Sequence, residues 1–243
     1  MSKSAIRLGA VALASAAALS AGATAGAATP SPPSLSAIQA KARADINLRV
    51  NDLNAAIQKV NGAKHLGSDQ QSLDTYLQRD IAPLQALETK IDNDTSVTQA
   101  EQDYATIFSD FRVLALVLPA ARQAADADVV TTAAVPALTS DSGKAQSHVN
   151  STNQSTLQPM INSLNTDISG ATAAASGVAG TVMSDVPSQW NANHSLLSPT
   201  KDKLSTAKSD VKNAVSELRQ IHQYLESSRS AGPRTTTPTT TAG

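Results

Sequence analysis

Apolar residues recur every three or four positions through most of this chain, a spacing that places them on one face of a helix. The repeat predicts five helices, over about 35–61, 69–92, 99–150, 155–184 and 199–226. No segment shows the strict alternation of apolar and polar residues that is typical of a strand. The pattern therefore predicts an all-α protein, built as an elongated helical bundle.

The third predicted helix carries the strongest pattern, a heptad spacing typical of coiled coils. Thr98 is predicted to cap this helix, and Phe111 lies in the middle of the apolar stripe, where we expect a core side chain. Beyond Pro119 and Pro136 the stripe weakens, so the segment is either one long kinked helix or two helices with a break at 128–136.

These helix lengths suggest an architecture. An unbroken third helix would be about 75 Å long at 1.5 Å per residue. Its first half can pack with the first two helices and its second half with the last two, which gives two three-helix bundles sharing one long kinked helix. Pro83 predicts a further kink in the second helix. Because only 2% of the residues are aromatic, the cores must consist of Leu, Ile, Val and Ala.

Residues 1–27 have the composition of a secretory signal peptide. Lys3 and Arg7 precede an uninterrupted run of small and apolar residues over 8–19, and small residues before Ala27 offer a cleavage site. The run spans only about 18 Å, which is short of the ~30 Å hydrocarbon core of a bilayer. We therefore expect cleavage and export rather than a membrane anchor.

The remainder of the chain carries no further signal for a membrane or wall anchor. The apolar run 113–121 is too short to cross a bilayer. Residues 227–243 are rich in Thr and Pro, without a large apolar side chain or a wall-sorting sequence, and predict a disordered tail. The protein is therefore expected outside the cell, either freely secreted or held non-covalently at the cell wall.

Charge and cysteine content exclude several functions. Loss of residues 1–27 with their two basic residues leaves 17 basic and 20 acidic residues, a net charge of −3, so no nucleic-acid-binding surface is expected. The chain has no cysteine, which excludes disulfides, thiolate metal sites and thiol catalysis. No G-x-S-x-G or H-E-x-x-H motif is present, so we predict a protein that is not an enzyme and uses no cofactor.

An acidic segment between the second and third predicted helices has part of the spacing of a calcium loop. Asp92, Asp94, Ser96 and Asp103 fall at positions 1, 3, 5 and 12. Such a loop needs Gly at position 6 and Glu at position 12, whereas this chain has Val97 and Asp103 there. An acidic turn is the favoured interpretation. The four histidines are scattered without zinc-site spacing, and no metal site is predicted.

Four residues are candidates for an interaction site, namely Arg112, Trp190, Tyr104 and Phe108. Helical geometry places Arg112 beside the core stripe with Tyr104 and Phe108 near it. Its guanidinium is expected to pair with an acid such as Asp80, and the alternative is an anion or partner site. Trp190 is predicted to lie in a loop, either as a lid over a bundle end or as an exposed anchor for a partner or glycan.

Several short patterns carry a family resemblance. They are Asp110-Phe111-Arg112-Val113, Leu118-Pro119, Ala125-Asp126, Gln189-Trp190-Asn191 and Ala207-Lys208-Ser209-Asp210. Together they resemble a group of secreted helical proteins of actinobacteria, over most of the chain that follows the signal peptide. The resemblance implies a secreted helical body and no assigned activity.

The sequence thus favours a secreted, non-enzymatic structural or interaction protein of the bacterial cell exterior, with an unknown protein or cell-envelope partner. One alternative is a carrier that holds a small apolar ligand between the Ala- and Gly-rich fourth helix and its neighbours. Another is an envelope-associated enzyme without a visible catalytic motif.

The signal peptide gives a direct prediction. N-terminal sequencing of protein recovered from the medium of the producing bacterium should begin between Gly26 and Thr29, because the charge pattern and small residues place cleavage there. Exported protein that still begins at Met1 would contradict it.

Overall fold

The structure is a computed structural model that describes residues 33–67 and 69–230. The regular secondary structure of these residues is entirely helical, which confirms the all-α class. The predicted signal peptide and residues 231–243 of the predicted tail lie outside the described residues.

The described chain forms α-helices joined by short turns and by π-helical segments, in which the hydrogen bond runs to the fifth residue along the chain. The helices are α1 Leu35–Gly62, α2 Asp69–Gln78, α3 Ile81–Asp92, α4 Val97–Thr106, α5 Leu118–Val129, α6 Val135–Gln146, α7 Gln154–Ala175, α8 Val178–Ser184, α9 Pro187–Ala192 and α10 Ser198–Ser230. The π-helical segments are Ile107–Phe111, Val113–Val117 and Val130–Ala134.

The second predicted helix is divided one turn before Pro83, at the position where a proline disrupts a helix, so the predicted kink is a full break. The chain turns at Arg79 and Asp80, between α2 and α3. Pro83 lies in the first turn of α3, where the backbone N–H groups need no partner within the helix. A proline at that point is compatible with a straight helix and marks a helix start.

The third predicted helix is helical across 128–136, and neither Pro119 nor Pro136 breaks it. Leu118 and Val135 each precede a proline, and their N–H groups donate to carbonyls five residues earlier, those of Val113 and Val130. Each proline therefore follows a π-helical segment, whose shifted hydrogen bonds accommodate the missing N–H group. The interruption occurs at Arg112 instead, where the backbone is left-handed.

The ends of the predicted helices also need correction. The Ser96 Oγ, not that of Thr98, caps α4 by accepting from the Gln99 N–H at 3.3 Å. The fourth predicted helix is divided at Ser176 and Gly177, where Gly177 has a φ of +71° that disfavours other residues. The last helix continues to Ser230, so residues 227–230 are helical and not part of a disordered tail.

Contacts divide the chain into two compact units. The described part of unit 1 comprises 33–67, 69–126 and 179–198, and that of unit 2 comprises 127–178 and 199–230. In unit 1, α1 packs against α2, α3 and α4. The predicted architecture assigned the whole fourth helix to the second bundle. In the structure the end of that predicted helix, from residue 179, belongs to unit 1.

Unit 2 is built from three helical stretches. Its core joins residues of 130–145, α7 and α10, with Leu138, Ile161 and Ile221 almost fully buried. The Ser142 Oγ and the Asn165 Oδ1 are 2.7 Å apart and connect α6 with α7. At Gly170 of α7 a Cβ would come within 2.6 Å of the Asp210 Oδ2 on α10, so any other residue at this position would require the Asp210 carboxylate to move.

Both cores are aliphatic, as expected from the composition. The largest fully buried side chains are all Leu or Ile. Phe111 is only half-buried, and the prediction of a core position for it is wrong. The π-helical turns change the angle between successive side chains, so that Ile107, Val113 and Leu116 point into the core instead.

One helical stretch among the described residues, Val97–Gln146, is long and apolar enough to cross a membrane, with a mean hydropathy of 1.4 over its best 18 residues. The core helix of a helical bundle meets the same criteria of length and apolar composition. Val113, Leu116 and Val117 of this stretch are fully buried inside unit 1. These features alone are weak evidence for a membrane span.

Two leucines on α1 provide a matched test of the core of unit 1. Leu53 is 0% exposed and Leu48 is 50% exposed. We expect Leu53→Ala to lower the free energy of unfolding by about 2–5 kcal/mol, because it leaves a cavity, and Leu48→Ala by less than about 0.5 kcal/mol. Denaturant unfolding followed by circular dichroism measures both. Equal losses for the two variants would show that α1 does not pack as described.

Candidate interaction site

The backbone is strained at Arg112. This residue has φ 45° and ψ 33°, and it is the only residue other than glycine with a positive φ in the described chain. The left-handed conformation costs a residue with a Cβ about 1–2 kcal/mol. π-helical segments lie on both sides of Arg112. Strained backbone and π-helical turns both concentrate at functional sites, so this break is the first place to look for one.

The side-chain amide of Asn191 holds the break in place. Its Oδ1 accepts a hydrogen bond from the Arg112 Nε at 2.6 Å, and its Nδ2 donates to the Ser109 carbonyl at 2.9 Å. The Arg112 carbonyl in turn accepts from the N–H groups of Ala115, Leu116 and Val117. One amide thus connects α9 to Ser109, within the first π-helical segment, and to Arg112, between the two segments.

The predicted pair between Arg112 and Asp80 is wrong. Asp80 accepts instead from the Nε of the neighbouring Arg79 at 3.1 Å. The left-handed backbone directs the Arg112 side chain away from the helical path assumed in the sequence analysis. Its partner is therefore a neutral amide of α9 rather than a carboxylate of α2 or α3.

Tyr104 and Phe108 do lie together, in edge contact with ring centroids 5.2 Å apart. The Arg49 guanidinium lies 4.7 Å from the Phe108 centroid, in cation–π geometry. The Tyr104 hydroxyl donates to the Asp45 Oδ2 at 2.6 Å, and Asp45 also accepts from Arg49 through its carbonyl. Burial, then the hydrogen bond to Asp45 and its charge, raise the pKa of Tyr104 to about 12. The phenol keeps its proton at any physiological pH.

Sequence reasoning missed Arg49, which is 6% exposed. Asp45 and Arg49 are four residues apart on α1 and have the spacing of an ordinary surface ion pair. The signal that could have found Arg49 is its place on the apolar stripe, next to Val50 and between Ile46 and Leu53.

Trp190 lies in α9, a short helix, and not in a loop as predicted. The Gln189 side chain accepts from the Val186 N–H at 2.9 Å, and Pro187 follows at the first helical position, so this segment has its own start signal. The Trp190 ring contacts His194, with centroids 5.8 Å apart. α9 packs against Ile107–Phe111, and Trp190 directly precedes Asn191, whose side chain binds Arg112.

The exposed large apolar side chains of the described residues also belong to this part of unit 1. Leu48 and Phe108 are 50% and 37% exposed, and Leu114 and Val186 are 45% and 39% exposed. They lie on α1, on the two π-helical segments and directly before α9. Of these elements, α1 packs against Val113–Val117 and α9 packs against Ile107–Phe111. We call these four residues, with Arg112 and Trp190, the Arg112 region.

In the acidic segment with partial calcium-loop spacing, two of the carboxylates accept from cationic side chains, whereas the Oδ2 atoms of Asp94 and Asp103 are buried without a hydrogen-bond partner among the described residues. Asp92 accepts from the Arg43 Nε at 2.8 and 2.9 Å, and Asp103 accepts from the Lys90 Nζ at 2.7 Å. Burial and the nearby Asp103 raise the pKa of Asp94. No group of three or more metal-ligating side chains occurs within the described ranges.

Comparison with known proteins gives no relative from which a function could be transferred. No protein-family model, curated protein or solved structure matches the chain. The resemblance to secreted actinobacterial proteins stays a prediction, and function has to be argued from the residues themselves.

Two substitutions at Arg112 test the strained break. Both Arg112→Gly and Arg112→Ala lose the hydrogen bond to Asn191, but only alanine has to adopt the left-handed backbone with a Cβ. We expect the glycine variant to be more stable than the alanine variant by about 1 kcal/mol in denaturant unfolding. At the exposed position Gln102 of α4 the order should be reversed, since glycine is about 1 kcal/mol worse than alanine inside a helix.

The comparison at Gln102 makes the result decisive. If alanine were the more stable substitution at both positions, the backbone at Arg112 would be ordinary helix and the break would not exist.

Proposed function

We propose that this protein is a secreted, non-enzymatic interaction protein of the bacterial cell exterior, and that it binds a protein or envelope partner through the Arg112 region. The observation that carries the proposal is that the exposed large apolar side chains of the described residues all belong to unit 1, and that two of them, Phe108 and Leu114, lie on the π-helical segments on either side of the strained Arg112. Exposed large apolar side chains that are grouped, rather than scattered, mark interaction surfaces.

The residue types in this region support binding. Arginine, tryptophan and tyrosine are enriched at the centres of protein interfaces. Arg112 and Trp190 supply two of these types. Tyr104 packs against Phe108 in an edge contact of their rings. Arg49 adds a positive charge over the same ring. Because Arg49 is only 6% exposed, the region offers a partner apolar area together with the guanidinium of Arg112.

The region is also held in one conformation before any partner binds. Phe108 is fixed by Tyr104 and Arg49, and Arg112 is fixed by Asn191. A surface that is already ordered loses little conformational entropy on binding, which favours affinity. This order also gives a reason for the protein to keep a strained backbone at Arg112.

Export is supported by the sequence of residues 1–27, and the absence of cysteine and of recognised catalytic motifs supports a role other than catalysis. The carrier alternative has weaker support. It places an apolar ligand beside the Gly-rich fourth predicted helix, but the space at Gly170 of α7 is occupied by the Asp210 carboxylate of α10, a polar neighbour for an apolar ligand.

Photo-cross-linking in the producing bacterium tests the proposal. The photoreactive residue p-benzoylphenylalanine replaces Phe108 or Leu114 in turn, and the exposed Ser209 of unit 2 serves as the control position. We expect both positions of the Arg112 region to give the same discrete adduct in the culture fluid or cell-wall fraction, and Ser209 to give none.

A second variant establishes that the adduct depends on the region. Trp190→Ala should reduce the yield of the adduct from position 108 at least severalfold, while the thermal unfolding midpoint changes little, because Trp190 is partly exposed. Adducts of equal yield from all three positions, or none from 108 and 114, would refute the proposal.

A further inference from the structure

The positive charge of Arg112 is not balanced within the described chain. Its one hydrogen bond runs from Nε to the Oδ1 of Asn191, a neutral amide, and it forms no ion pair among the described residues. Three other arginines of unit 1, Arg43, Arg49 and Arg79, each form an ion pair with an aspartate. Arg112 is also partly buried, and burial of a charge without a counter-charge is costly. A bound anion would remove this cost.

The guanidinium also has hydrogen-bond donors to offer. An arginine has five N–H groups, one on Nε and four on the two Nη atoms. Asn191 accepts only from Nε, and the Nη atoms have no partner in the described part of the chain. A carboxylate pairs with arginine through two parallel N–H···O bonds. Because Nε is occupied, the two Nη atoms are the pair of donors that remains for a ligand.

The charges around Arg112 favour a ligand with a single negative charge. Asp110 is exposed, and its Oδ1 lies 2.7 Å from the Ser109 Oγ. A second cation, Arg49, is only 6% exposed and pairs with Asp45. One guanidinium balances one carboxylate, whereas a phosphate group carries a charge of about −1.5 to −2 at neutral pH. The carboxylate of an acidic side chain is therefore the better match.

Apolar surface adjoins this cation. Leu114 follows Arg112 by two residues and is 45% exposed, so the Cα atoms of the two residues are at most about 7.6 Å apart. An apolar side chain of a partner that covers Leu114 also excludes water from a neighbouring ion pair. Opposite charges attract more strongly where water is excluded, because the effective dielectric constant is lower. A carboxylate beside an apolar side chain thus fits this surface better than a carboxylate alone.

We propose that Arg112 binds a glutamate or aspartate of a partner protein through its two Nη atoms, while an apolar residue beside that acid covers Leu114. The inference rests on the proposed function and deepens it, because it names the chemistry of the partner, an acidic residue flanked by apolar residues. Asn191 is a positioning residue, since it holds the guanidinium at Nε and leaves the two Nη atoms for the ligand.

Two matched peptides test the inference. Acetyl-Leu-Glu-Leu-amide has the proposed chemistry, and acetyl-Leu-Gln-Leu-amide has the same shape without the charge. The full chain, labelled with ¹⁵N, is titrated with each peptide at constant low ionic strength, and binding is followed by the backbone N–H signal of Leu114. We expect the Glu peptide to bind with a Kd of about 1 mM and the Gln peptide to bind at least about tenfold more weakly. The N–H signal of Ser209 in unit 2 should stay in place.

Substitutions at Arg112 show whether its charge makes the difference. Arg112→Lys and Arg112→Gln both lose the Nε group and both place a Cβ on the left-handed backbone, but only lysine keeps the positive charge. In Arg112→Gln the preference for the Glu peptide should fall to about twofold or less, and in Arg112→Lys it should remain about threefold or more. The matched control is Arg219→Gln on the exposed face of α10, which should keep the preference of the parent.

Equal binding of the two peptides by the parent, a comparison that needs no variant, would overturn the inference. So would no Leu114 shift at about 10 mM of either peptide, or the full preference in Arg112→Gln. Acetate and inorganic phosphate are the last probes, and either one binding as tightly as the Glu peptide would assign the site to a free anion instead of a partner. Cross-linked adducts from positions 108 and 114 without a preference for the Glu peptide would support the proposed function and refute this inference alone.

Discussion

One side-chain amide makes the candidate site possible. Asn191 links α9 to Ser109, in the π-helical segment before the helical interruption, and to Arg112, at which the interruption occurs. The left-handed conformation costs Arg112 about 1–2 kcal/mol, and these hydrogen bonds help to offset that cost. The geometry of the Arg112 region thus depends on an interaction between residues 79 positions apart.

The cores set a second constraint. Their largest buried side chains are Leu and Ile, which bury less area each than aromatic residues do. Long helices compensate by contributing many such positions, as the 33 residues of α10 illustrate. In such a core the π-helical segments are useful, because they change side-chain direction and accommodate Pro119 and Pro136 without ending the helical run.

The helical period predicted the class and most helix positions because burial of one face determines both. The start of α1 was predicted at about residue 35 from the apolar stripe, and the Ser34 Oγ caps the helix there by accepting from the Ala37 N–H. The turn at Arg79 lies one helical turn before Pro83, the residue that predicted an interruption. The break at Arg112 was not predictable, because that position is neither glycine nor proline and the apolar spacing continues through it. A stripe records which residues are buried, and it cannot distinguish a continuous helix from two segments that bury the same face.

The same reasoning explains how much of the candidate site was foreseen. Tyr104 and Phe108 are four residues apart on one helical run, so local spacing could place them together, as the structure does. Arg112 follows a π-helical segment, and its side chain binds Asn191 instead. The partners Asn191 and Arg49 come from distant segments, and nothing in an isolated asparagine of α9 indicates that its amide reaches Ser109. A local pattern can therefore place neighbours on one helix, but the contacts that fix a site between elements depend on the tertiary packing.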